Sequence, residues 1–233
     1  MNGDLGTSWT DASRAVIRQR IERCKEINRE ILRRRTFKPA VTKRYELASR
    51  CFDLSIEHHS SVAMLTSNQQ FGSANALLRC IAESTVAGQW ITHCASEDWI
   101  GRFEAGTADF KLERMLDDLS SSAEARDVGK ALKTMLSSAH RSDFVKMLNG
   151  FTHGSAIQLA RRHPDLYGTP GFTIEEIRST LMISDMFMTP VSAGLSIVDE
   201  TPELHTFAEE IAAVCAQEAH EFFDGPPPSN FAL

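Results

Sequence analysis

The residues best suited to chemistry lie in two short stretches of the chain. Lys146 to Arg162 reads KMLNGFTHGSAIQLARR, which sets Asn149 four residues before His153 and Gly150 four residues before Gly154. In a helix each of these pairs shares a face. Two glycines on one face leave a gap where a ligand, another backbone or a second subunit can come close. The imidazole borders that gap, where it is suited to general acid or base work near neutral pH, with Asn149 orienting a substrate or the ring. The alternative is structural: Asn149 and Gly150 break a helix, Gly154 closes a turn, and His153 bonds backbone across it.

The second stretch, Leu77 to Trp90, reads LLRCIAESTVAGQW and places Arg79 and Glu83 one helical turn apart, on a stripe continued by Val86 and Trp90. Charges on an apolar stripe are costly to bury singly, so these two are expected to pair with each other or with another helix. In a functional reading they face the same cleft as His153, where they supply a guanidinium clamp for an anion and a carboxylate beside a titratable ring. Arg161, at the end of the first stretch, is the remaining candidate for ligand binding.

Other patterns point away from known chemistries. His58 and His59 beside Glu57 lack the paired Glu-x-x-His spacing of a di-iron bundle, and neighbouring helical positions point about 100° apart. His93 and Cys94 have no partner set of zinc-ligand spacing. There is no Gly-rich phosphate loop, no Gly-x-Ser-x-Gly elbow and no His-Glu-x-x-His. The expectation is therefore no metal and no cofactor. Five scattered cysteines without a Cys-x-x-Cys pair argue against a disulfide framework and suit a reducing compartment. Met1 to Thr10 carries Asp4 and no apolar run, so no signal peptide is expected and the expected location is the cytoplasm.

Taken together, LLRCIAESTVAGQW, the following Ala95-Ser96-Glu97-Asp98 and NGFTHGSAIQLARR resemble an uncharacterised family of bacterial helical proteins, over roughly Ala74 to Arg162. That resemblance implies an all-helical fold and no established activity. More remotely, Asn149 followed by His153 and Gly154 is similar to the end of the motif of HEPN domains, helical bundles that often dimerise and include metal-independent ribonucleases. Leu148 stands where that motif has an arginine. The resemblance therefore implies a divergent or inactive member, unless Arg79 or Arg161 supplies the cation, and it carries over Asn149 and His153 alone.

The elements that must position these residues follow from apolar spacing. Val16, Ile17, Ile21, Cys24, Ile27, Ile31 and Leu32 recur at three and four residues, which predicts a long amphipathic helix over Thr10 to Arg35. Pro39 suits the first turn of a second helix running to about Ser67. A third is expected from the break at Asn68–Gln70 to near Ala95, and a fourth after Ser96 through Leu119, with Gly101 and Gly106 inviting a kink or short loop. Ser121 with Glu124 has capping-box spacing for a fifth, and Ser142 or Asp143 opens another that His163-Pro164 closes. Thr173 with Glu176 forms a second capping box, and Thr201-Pro202 launches the last helix. No segment alternates in the manner of a strand. Leu181 to Val198 is the longest apolar stretch, but Asp185 and Pro190 interrupt it, so it reads as a buried helix and not a membrane span.

These elements predict an all-α, single-domain antiparallel bundle of seven or eight helices over residues 10–224, between a disordered N-terminus (1–9) and a Pro-rich disordered tail (225–233). Residues 1–50 hold thirteen Lys/Arg against six Asp/Glu, whereas from Asp199 onward there is no Lys or Arg. A basic first helix is thus expected to lie against an acidic last one, within a chain or between chains, unless Arg33, Arg34 and Arg35 meet phosphate. The functional expectation is a HEPN-like protein, dimeric, binding nucleotide, RNA or another anion around Asn149 and His153. Catalysis is weak or absent, and ribonuclease-like if present. The alternatives are a non-enzymatic oligomeric interaction protein and a small-molecule binder with a pocket lined by Trp90, Met182, Met186 and Phe187.

Overall fold

A computed structural model describes residues 10–37, 40–109, 111–137, 152 and 171–223. Among the described residues there are eight helices and no strand, so the fold is all-α. Thr10 opens α1 (Asp11–Arg34) by accepting from the Ser13 amide, and Ile17, Ile21, Cys24, Ile27 and Ile31 form its buried stripe. Arg35 already has extended backbone, which swings its guanidinium toward Asp199 (2.7 Å), Ser49 (2.9 Å) and Asp53.

Helix α2 (Lys43–Ser67) begins later than Pro39 suggests, because Thr42 supplies the cap by accepting from the Tyr45 amide at 3.2 Å. A sharp turn leads into α3 (Phe71–His93), whose end is held by Arg44: that guanidinium donates to the Ile91 carbonyl at 3.0 Å and to that of Ala95. A cation there satisfies carbonyls that the helix leaves unpaired. Ser96 caps α4 (Glu97–Glu104). The expected long fourth helix is in fact two, divided at Gly106, whose φ of 70° carries the chain out of α4 before α5 (Leu112–Ser121). In the turn ahead of α6 (Arg126–Ser137), Ser122 accepts from the Glu124 and Ala125 amides, while Ser121, the expected cap, still belongs to α5. Thr173 and Glu176 do form a capping box at the head of α7 (Ile174–Val198). Thr201-Pro202 starts α8 (Pro202–Phe223), as the threonine–proline pair predicts.

Helices α2, α3 and α7 form the centre, with α1 packed across α2 and α7, α8 against α7 and α1, and the α5–α6 pair against α3. Buried apolar side chains from all eight helices join in one cluster. Trp90, Met182 and Phe187 are buried in the bundle and Met186 is partly so, which makes them part of the packing. By length and composition α7 is apolar enough to cross a membrane, but 72% of its most apolar window is buried inside the bundle.

Candidate functional site

Of the residues singled out by sequence, Arg79 and Glu83 lie on α3 and pair with each other: Arg79 Nε donates to Glu83 Oε1 at 2.8 Å. Both are half-exposed, at 29% and 45% of the side chain. The bond uses one of the five N–H groups of the guanidinium and fixes its plane. Asn149, His153 and Arg161 lie outside the described residues, as do the tails 1–9 and 225–233. The cationic end of α1 is occupied within the chain. Arg33 and Arg34 bond Glu30, Arg34 also lies over the Phe207 ring at 4.4 Å, and Arg35 is buried on acidic partners. Further up α1, Arg20 and Arg23 both bond Glu218 of α8. The basic helix therefore meets the acidic one inside a single chain.

The most polar part of the core is a cluster built where α1, α2, α7 and α8 meet. His59, at mid-α2, is fully buried and has Asn28 Oδ1 2.8 Å from Nδ1 and Asp185 Oδ1 2.8 Å from Nε2. Asp185 is itself fully buried in the middle of α7, and its second oxygen lies 3.5 Å from Arg23 Nε without a hydrogen bond. Cys24, one turn before Asn28 on α1, completes a set in which the thiol sulfur, a ring nitrogen and a carboxylate oxygen all lie within 4.8 Å of one another.

These groups are incompletely paired. Asn28 Nδ2, Asp185 Oδ2, Arg20 Nε and Arg23 Nε are buried without hydrogen-bond partners among the described residues, and each such orphan costs about 1–3 kcal/mol. Turning the Asn28 amide end for end would let Nδ2 donate to the ring but would orphan Oδ1 instead. In either orientation one atom of the Asn28 amide is left without a partner. Burial, with the Asp185 carboxylate alongside, holds the Cys24 thiol well above the ordinary thiol range. Burial likewise pushes the neighbouring Cys215 thiol up to about 12. Both ring nitrogens of His59 already face oxygens, so the imidazole is turned toward neither sulfur. The arrangement differs from an activated cysteine nucleophile, which needs a depressed thiol pKa or an adjacent base.

The sequence places His59 on the stripe of the second helix, beside His58 and Glu57 and without a ligand set, and shows Asp185 as an interruption of an apolar run. That interruption was the available signal, since a carboxylate deep in a buried helix requires a partner. The partners stand 31 residues apart for Asn28 and His59 and 126 apart for His59 and Asp185, separations no local pattern reports.

No curated protein and no solved structure matches the chain. A family model does, over residues 52–219, which takes in α3 with Arg79 and Glu83, His59 on α2 and all of α7, and stops short of α1. On the extent of that match the chain belongs to the family of unknown function DUF6988.

Proposed function

We propose that this protein binds an anion, the phosphate of a nucleotide or of RNA, on the half-exposed face of α3 that carries Arg79. In this HEPN-like reading Asn149, His153 and Arg161 complete the site, and catalysis is weak or absent. The observation that supports it is the state of Arg79. Its Nε is committed to Glu83, while its two terminal nitrogens have no partner among the described residues. A guanidinium braced through Nε presents its remaining N–H groups as a planar fork, the geometry that suits a phosphate.

Fluorescence anisotropy with a labelled single-stranded RNA, competed by ADP, tests the reading. Arg79→Ala is expected to weaken binding about tenfold, equivalent to about 1.4 kcal/mol. Arg79→Lys should recover only part of this, because an ammonium cannot reproduce the fork. His153→Ala should abolish binding with the helical circular dichroism retained. Unchanged affinity in Arg79→Ala sinks the reading.

A homodimeric, non-enzymatic interaction protein is the second reading, supported by the connection between α1 and α2. There Phe37 (62% exposed, φ 47°) and Val41 (75% exposed) present large apolar side chains to solvent. Contact with a second copy would bury them. Native mass spectrometry should then show a dimer that Phe37→Ser with Val41→Ser converts to monomer; a monomeric parent chain removes this reading.

A further inference from the structure

We propose that Cys24, His59 and Asp185 form a buried site for a divalent transition metal of the zinc class. Three helices deliver the donors: Cys24 from α1, His59 from α2 and Asp185 from α7, all at 0% exposure. Zinc bonds of about 2.0 Å to nitrogen or oxygen and about 2.3 Å to sulfur set ligand atoms roughly 3–4 Å apart. The donor atoms here, all within 4.8 Å of one another, can close on one ion by small side-chain rotations. A thiolate, an imidazole and a single carboxylate favour zinc, cobalt or nickel over magnesium or calcium, which prefer shells of oxygen.

The surroundings suit a cation as well as the spacing does. With Nδ1–H donating to Asn28 Oδ1 at 2.8 Å, the lone pair of Nε2 faces the Asp185 carboxylate oxygen, also at 2.8 Å. A metal ion there would take the place of the proton that otherwise bridges the ring and the carboxylate. A histidine ligand ordinarily donates its other N–H to a carbonyl or carboxylate that fixes its orientation, and Asn28 stands where that partner belongs. Asp185 Oδ1 faces the ring at 2.8 Å, while Oδ2, buried without a hydrogen bond, has the Arg23 guanidinium 3.5 Å away. Glu218 in turn holds Arg23 and Arg20. On binding, the Cys24 S–H bond breaks, the proton leaves to solvent and the thiolate bonds the metal. Thiolate and carboxylate together balance the two positive charges.

The full-length chain, stripped of metal with a chelator and kept reduced, would be refolded from guanidinium with increasing Co2+, since the site is closed in the folded bundle. One molar equivalent is expected to give a thiolate-to-cobalt charge-transfer band and visible bands of tetrahedral intensity. Zn2+ should displace the cobalt and raise the melting temperature. Cys24→Ser is expected to lose the charge-transfer band and the zinc-dependent rise in melting temperature while keeping its helical circular dichroism. If the serine variant fails to fold, Cys24→Ala takes its place. Cys215→Ser, which alters the other buried thiol nearby, should retain both signals. A parent chain that refolds without the band overturns the proposal, and so does a band that survives loss of Cys24 or disappears with Cys215.

Discussion

The ring of Phe52 fills space that a Cβ would need at two other positions. A Cβ on Gly88 would lie 2.5 Å from Phe52 Cε1, and one on Gly194 would lie 2.2 Å from Phe52 Cζ and 2.7 Å from Gln89 Nε2. The phenyl group is fully buried, so it cannot turn aside. These contacts let α3 and α7 both close on α2, and Gln89 uses the same proximity to donate to the Pro190 carbonyl inside α7. Gly194→Ala should therefore destabilise the fold by about 1–3 kcal/mol, the usual cost of overpacking. Adding Phe52→Leu should make the double variant less damaged than the sum of the two single ones. Urea denaturation of the four chains checks this; strict additivity would mean that the alanine is accommodated elsewhere. Residue by residue, local interactions were the legible ones. Arg79 and Glu83 could be paired from their spacing alone, whereas nothing near Cys24 in the chain signals His59 or Asp185.

At the scale of elements, three helices end in the same way. The turns at Gln69, Gly106 and Glu200 all have φ between 51° and 70°. Each is closed by an amide reaching back five residues, from Gln70 to Leu65, from Thr107 to Arg102 and from Thr201 to Ser196. These are Schellman reversals, which place a left-handed residue just past the helix. Only one of them carries the glycine that this conformation favours. The sequence announced the turn at Gly106 and was quiet at the other two, where backbone hydrogen bonds and the short connection impose the conformation on side chains that resist it. Capping residues are more legible: Ser96 and the Thr173–Glu176 box stand where their chemistry places them. The start of α2 falls later than Pro39 suggests because the Thr42 hydroxyl, three residues on, takes the Tyr45 amide, and ahead of α6 the accepting hydroxyl is that of Ser122, one residue beyond Ser121. Glu200→Gly should relieve the left-handed penalty and stabilise the protein by about 1 kcal/mol, read as a higher melting temperature. A fall would mean that the glutamate side chain contributes more than its backbone conformation costs.

For the molecule as a whole, the family match begins at residue 52, yet the core begins at Ile17 in α1. Helix α1 lies across α2 and α7 and touches α8, buries Ile17, Ile21, Ile27 and Ile31, and contributes Cys24 and Asn28 to the polar cluster. Each buried isoleucine is worth about 1.5–3 kcal/mol. Four of them approach the whole net stability of an ordinary domain, about 5–15 kcal/mol. Removing α1 also takes Asn28 from His59 and Arg23 from Asp185, leaving that pair only each other, and takes Arg20 and Arg23 away from Glu218. A chain lacking residues 1–37 is therefore expected to lose cooperative unfolding, with a broad thermal transition by circular dichroism and a rise in binding of a hydrophobic dye. The basic character of α1 has a place in the same account, because its charges complete an ion-paired seam against a helix that has no Lys or Arg of its own. If the shortened chain instead melted sharply within a few degrees of the parent, α1 would be an appendage to a core that stands without it. The buried cluster would then contribute little to holding the bundle together.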